Sequence, residues 1–425
     1  MQEADWSPDG SALAVIRAVG GRYRIEYPIG KVLYQAERGI SHLRVSPDGE
    51  RVAFIDHPLA PDDNGSVMVV DRAGRSRKLT GRFASAQGLA WRRPAGDEVW
   101  FTAAEAGMNM ALRAVTLDGR QRVILRIPGR LMLQDIAAGG RILAARESSR
   151  IHVAGLGRGQ SQEREWSWGD ASVVLDLSPD GRTVLISEQG EAGGPGYGVY
   201  LRKTDGSPAV RLGGGLGAAL SPDGKWVLTV GITTAQLVLL PARAGEPRPL
   251  PRGALEHFQF ATWMPDGKRV VFSANEPGRG SRIYVQDIAG GAARAASPEG
   301  ADLVAHTVSP DGRWVAALDP DRKLVLYPIE GGEAGAVPGV EPGEFPLRWS
   351  SDGRSLYICR TGEMPIRVHR VEVATGRREL WKQLVPRDPV ATFFAPLIHA
   401  TPDGAYYAYS YNTILCELYL VDGVK

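Results

Sequence analysis

Four histidines stand where they could bind a metal ion. His42, His306 and His399 lie three to five residues before the proline of a recurring Pro-Asp-Gly turn, and His257 lies eight before its own. Neutral imidazole suits divalent transition metals, and two or three rings converging on one point would make a site. The spacing follows the turns and forms no compact ligand signature. The plainer reading is therefore four satisfied structural histidines, and no metal or other cofactor is expected. His57, His152 and His369 fall elsewhere in the pattern and read as structural. Nucleophilic catalysis finds no footing. No Gly-x-Ser-x-Gly elbow occurs, and Gly213-Gly214-Gly215-Leu216-Gly217 is not followed by the Gly-Lys-Ser/Thr of a phosphate loop. Pro61-Asp62-Asp63-Asn64-Gly65 is acidic but lacks the spaced ligands of a calcium loop. No catalytic residue is expected.

The elements that would position these histidines are set by a repeat. Ser-Pro-Asp-Gly stands at Ser7-Pro8-Asp9-Gly10, Ser46-Pro47-Asp48-Gly49, Ser178-Pro179-Asp180-Gly181, Ser221-Pro222-Asp223-Gly224 and Ser309-Pro310-Asp311-Gly312. Variants stand at Met264-Pro265-Asp266-Gly267, Ser350-Ser351-Asp352-Gly353 and Thr401-Pro402-Asp403-Gly404, with faint copies ending at Gly96 and Gly140. The ten closing glycines are 39 to 51 residues apart. A period of this size marks a repeat architecture. Proline presets φ for a type I turn, aspartate suits the next position, and glycine closes the turn in the left-handed region. Each copy should join two antiparallel strands. The second strands, such as Val52–Phe54, Val99–Phe101 and Val270–Phe272, are apolar on successive residues. Strands apolar on both faces are covered on both faces.

These features predict an all-β β-propeller of about ten four-stranded antiparallel blades. They would form one large or open ring or two rings, with a division between 1–165 and 166–425 as an alternative to an undivided array. The innermost strands carry His42, His257, His306 and His399 toward the central channel. The fourth strands are polar and Arg-rich, as expected of outer edges. The tenth unit stops after its third strand, so the natural polypeptide is expected to continue upstream or the last blade to have three strands. Lys and Arg total 50 against 48 Asp and Glu, a formal net charge of +2. That balance gives no global argument for nucleic acid or a membrane surface. No apolar run approaches a membrane-spanning helix, and no insertion into a membrane is expected. Cys359 and Cys416 are too few for a disulfide framework, although a bridge between adjacent repeats is an option.

The turn motif with its flanking apolar residues resembles the PD40 repeat of TolB-type bacterial propellers. Gln2–Gly10, Tyr27–Tyr34, Ala53–Pro58, Thr375–Trp381 and the closing Tyr409-Ser410-Tyr411 with Leu418–Val421 resemble the C-terminal propeller of large bacterial serine/threonine protein kinases. The chain has no Val-Ala-Ile-Lys, His-Arg-Asp or Asp-Phe-Gly, so no phosphotransfer residue carries over. The resemblance implies a non-catalytic sensor that binds a protein or small-molecule ligand at a propeller mouth. It also implies a kinase domain upstream in the parent polypeptide and an extracytoplasmic, periplasmic location. The alternatives are a TolB-like envelope interaction scaffold, or a channel-sited metal-dependent lyase or hydrolase. Histidines converging with an acidic partner at one channel mouth would favour the last, and a bare channel with an exposed apolar or charged rim would favour either of the others.

Overall fold

A computed structural model describes the chain apart from residues 1–2, 20–21, 37–38, 59–62, 108, 128, 195, 232–234, 361, 388–391, 395–396 and 425. Almost every described element is a β-strand, and the strands form nine antiparallel sheets. The fold is a multi-blade β-propeller. The ten sequence repeats occupy nine sheets because the fourth and tenth share one. No described helix is long and apolar enough to cross a membrane.

The turns explain the sheets. All ten closing glycines have positive φ, from 64° at Gly96 to 78° at Gly140. Gly10 N–H donates to Ser7 O at 2.9 Å, and the same bond recurs at Gly49, Gly181, Gly224 and Gly312. The motif's serine has its own task. In the first copy Ser7 Oγ donates to Asp9 Oδ1 at 2.6 Å and accepts from Ala12 N–H at 2.9 Å, while Ser11 N–H donates to Asp9 Oδ1 at 3.1 Å. This hydroxyl-carboxylate clamp recurs with Asp48, Asp180, Asp223, Asp311, Asp352 and Asp403. Asp266, whose turn opens with Met264, still accepts from Lys268 and Arg269 N–H. Proline also packs. A Cβ built on Gly49 would lie 3.5 Å from Pro8, one on Gly267 3.9 Å from Pro222, and one on Gly353 3.7 Å from Pro310.

In most sheets the second strand is covered on both faces, whereas Leu13–Val19 is exposed over its last three residues. Arg51–His57 and Glu98–Ala104 are buried almost throughout, and Phe54, Phe101 and Phe272 have no exposed surface. Replacing one such Phe by Ala typically costs about 3–5 kcal/mol. Some fourth strands, such as Ser76–Lys78, are exposed and charged as expected, whereas Val32–Ala36 is partly buried and Gly335–Ala336 is small, and neither carries a charge. Both cysteines are free, Cys359 buried and Cys416 exposed, so there is no bridge.

The chain forms two compact units, Met1–Ser149 with Ile414–Lys425, and Arg150–Thr413. The second holds six inner segments in cyclic order. The strands Ser172–Leu177, Leu216–Leu220 and Ala261–Trp263 neighbour one another in turn. Residues 302–308 follow, tied by Leu303 N–H to Ser273 Oγ at 2.8 Å and by His306 to Thr262. Glu344–Trp349 comes next, and Ile398–Ala400 returns to Ser172–Leu177. The ring is closed by chain from its own beginning. Ile142–Leu156 and Arg164–Glu165 share a sheet with Ile398–Ala400 and Tyr407–Val421. Within that closure, Tyr407 and Tyr409 hydroxyls donate to the two oxygens of Glu163 at 2.7 and 3.0 Å.

Tryptophans beside the turns join neighbouring sheets. Trp349 Nε1–H donates to Thr307 O at 2.7 Å and Trp263 Nε1–H to Ala219 O at 3.3 Å. In the first unit Trp91 Nε1–H reaches Arg44 O at 3.0 Å.

Candidate functional site

The six inner segments of the Arg150–Thr413 unit present one residue each at the fifth place before the closing glycine. In cyclic order these are Asp176, Ala219, Thr262, Thr307, Arg348 and His399. A β-bulge precedes several of them. The ladder register shifts between Val174 and Asp176, between Gly217 and Ala219, and between Pro346 and Arg348. A bulge leaves one residue outside the ladder and re-aims its neighbours. Leu175 is that residue in its strand, so its carbonyl is available to a partner across the ring.

That partner is His306, three segments away in either direction. Its Nε2 lies 2.7 Å from Leu175 O, and its Nδ1 lies 3.0 Å from Thr262 Oγ1. A carbonyl only accepts, so Nε2 carries a proton. His399 packs against His306, ring centroids 5.2 Å apart and inclined by 54°. His399 is 7% exposed. It hydrogen-bonds the backbone of Val174, whereas its Nε2 is buried and has no hydrogen-bond partner. The bond to Val174 therefore engages Nδ1. Burial, reinforced by His306, pulls the His399 ring down to about 3, so it is neutral at physiological pH.

Asp176 supplies the acidic partner. Its Oδ1 accepts from Leu177 N–H at 2.8 Å and its Oδ2 from Leu220 N–H at 2.9 Å. Oδ1 lies 4.0 Å from His306 Nε2 and 3.9 Å from Arg348 Nη1. Burial pushes this carboxyl up, but His306, Arg348, His399 and the Leu220 amide outweigh it and hold it below the usual carboxylate range. Arg348 Nη1 also donates to Ala400 O at 2.9 Å. The result is a buried cluster of one carboxylate, one guanidinium and two imidazoles from four of the six inner segments.

Of the four channel histidines read from the sequence, this cluster unites His306 and His399. His257 sits elsewhere in the same unit, half-exposed with φ 52° and its Nε2 3.6 Å from Glu256. His42 belongs to the first unit, where burial and then Arg44 pull its ring down to about 4. His57 is engaged at both nitrogens, by Ser41 Oγ at 2.6 Å and by Asn64 O at 2.8 Å. Pro61 and Asp62 of the acidic loop lie outside the described residues. Sequence reasoning missed Asp176 and Arg348. The signal was the fifth place before each glycine, which also holds Asp5, Arg44 and Asp135 in the first unit.

No protein-family model matches this sequence, and no curated protein matches it. Similarity appears among solved structures. A TolB-type protein from Agrobacterium tumefaciens is 19% identical, over 62% of this chain and 99% of that one, with a TM-score of 0.45. TolB from Acinetobacter baumannii is 16% identical over 76% and 80% of the two chains, with a TM-score of 0.29. An oligogalacturonate lyase in complex with manganese is 16% identical over 66% and 77%, with a TM-score of 0.39. At these identities the likeness is one of fold alone.

Proposed function

We propose that this protein is a binding propeller. In this reading it is a scaffold that recognises a protein or small-molecule partner at one mouth of the Arg150–Thr413 ring, without turnover. The observation that carries the proposal is the convergence of Asp176, His306, Arg348 and His399 from four blades on the axis of that ring; two histidines beside a carboxylate would also serve a metal-dependent enzyme, and recovery of the ligand unchanged separates the two readings. Elsewhere the blades pack through apolar side chains. A buried ion pair is often no better for stability than a well-packed apolar group, so its place on the axis points to recognition. Rigid sheets hold the cluster in fixed geometry, as such sites require.

The test is a thermal-shift screen of the purified protein against small carboxylates, phosphates, oligosaccharides and short peptides. A ligand that raises the unfolding midpoint of the native protein should lose that effect in Arg348→Met and be recovered chemically unchanged. Ligands that act equally on both proteins, or a ligand consumed on incubation, would count against the proposal. The finer form of the reading, a sensor within a kinase-linked receptor, comes from the sequence resemblance. A kinase reading frame joined directly upstream would support it.

A further inference from the structure

We infer that the axial cluster is a site for one divalent transition-metal ion, held by His306 Nε2, His399 Nε2 and Asp176 Oδ1. The inference rests on the same cluster as the binding proposal and deepens it by naming what the cluster itself holds. Two nitrogens and one carboxylate oxygen form a donor set that suits zinc, cobalt, nickel, iron or manganese better than calcium or magnesium.

The first argument is placement. One ligand atom from each of the three residues lies within 4.8 Å of the other two. An ion that binds N and O ligands at about 2.0–2.2 Å needs them drawn in by less than about 2 Å. The second argument is the orphaned atom. His399 is tethered at Nδ1 to the Val174 backbone, which leaves the Nε2 lone pair buried and unpartnered. Metal-binding histidines are held this way, with the far ring nitrogen fixed by a carbonyl or carboxylate and the near one aimed at the ion.

The third argument is that outer partners already stand behind the other two ligands. The Asp176 carboxylate is steadied by the Leu177 and Leu220 amides. Thr262 Oγ1 lies 3.0 Å from His306 Nδ1. To bind an ion, His306 gives up its bond to Leu175 O, presents Nε2 without a proton and keeps its proton on Nδ1. With the proton on Nδ1, the Thr262 hydroxyl stands as its acceptor. Arg348 opposes the ion. Its guanidinium stands 3.9 Å from the ligating oxygen and would face a dication across the cluster. Arg348 therefore sets the affinity, and its removal should strengthen binding.

The experiment uses the full chain, stripped with a chelator and titrated with zinc alone and with cobalt alone, read by calorimetry and by the cobalt visible spectrum. The expected result is one equivalent per chain and a raised unfolding midpoint. His399→Gln and His306→Gln should abolish that equivalent, whereas His42→Gln and His257→Gln should leave it unchanged. Thr262→Val should weaken it about tenfold, the loss typical of a missing outer partner. Arg348→Met should tighten it. Far-UV circular dichroism of each metal-free variant controls for folding, and Thr262→Val and Arg348→Met serve if a ligand variant fails to fold. No stoichiometric uptake, uptake that survives in folded His399→Gln, or weaker binding in Arg348→Met would overturn the inference. The binding proposal fails separately, when metal is taken up but no ligand depends on Arg348.

Discussion

Single side chains in this molecule differ in what they can do according to what reaches them. Cys359 is buried, and burial pushes its thiol far above the ordinary cysteine range, with Glu344 and Glu363 adding to the effect. Cys416 is exposed. The thiolate is the reactive form, so an alkylating reagent at neutral pH should modify one thiol per native chain and two after denaturation. Mass spectrometry of the labelled peptides checks this, and rapid labelling of Cys359 in the native state would refute it. Trp349 makes a different residue-scale case. It is buried, and its indole N–H is the donor that reaches Thr307 O in the neighbouring segment. Trp349→Phe keeps most of the packing but leaves that carbonyl without its donor. The expected loss is about 1–2 kcal/mol, measured by denaturant unfolding. Trp263→Phe should cost less, because its bond to Ala219 O is longer.

At the scale of the element, the recurring turn makes stability depend on acid. Hydrogen bonds from Ser7, and from the backbone and hydroxyl of Ser11, bring Asp9 down to about 2. Asp223 and Asp352 are lowered by Ser221 and Ser350 first, and then by the backbone amides of Lys225 and Arg354. For Asp48, Asp180 and Asp311, burial works upward but the serine and backbone bonds outweigh it. A carboxyl depressed in the folded state contributes fully above its unfolded value, near 3.9, and loses that contribution as pH falls through its folded value. In that window the unfolded chain binds more protons, so stability rises with pH. Asp5, Asp56 and Asp302 are raised by burial and oppose the trend. The turn carboxylates outnumber them. The denaturant midpoint should therefore fall between about pH 5 and pH 2.5. Asn at positions 9, 48, 223 and 311 should flatten that fall, and an unchanged slope would show that the turns do not control it. The turns were legible in the sequence because their chemistry is local: proline, aspartate and glycine act within four residues. Asp176 and Arg348 were legible only as a column across repeats, since nothing beside Asp176 distinguishes it from any strand carboxylate. The convergence of His306 on Leu175 depends on which segments face each other, and no local signal carries that.

At the scale of the whole molecule, the repeat spacing leaves open how a ring meets itself, and the structure answers with a pairing distant in sequence. The Arg150–Thr413 ring closes where residues near its start lie in one sheet with residues near its end. Such closure carries a large loop entropy, so the contacts at the join must offset it. Glu163 is the polar centre of that join. Tyr407 and Tyr409 are both buried, and their hydroxyls have Glu163 as a shared acceptor. Burial and this carboxylate hold both phenols protonated, well above the ordinary tyrosine range. His152 strengthens the same seam, stacked on Tyr411 at 4.8 Å and bonded to Glu165 and Thr413. Glu163→Ala would leave two buried hydroxyls without their acceptor, at a cost of about 1–3 kcal/mol each when unsatisfied. Glu163→Gln keeps one acceptor oxygen and should cost less. Because the join is a single seam in a ring, the loss should appear locally before it appears globally. Backbone amides of 151–156 and 407–411 should exchange hydrogen faster in Glu163→Ala than in the native protein, while those of 226–231 and 269–274 keep their protection until global unfolding. Equal loss of protection in all four segments would mean that the ring unfolds as one body and that the seam is not its weakest point.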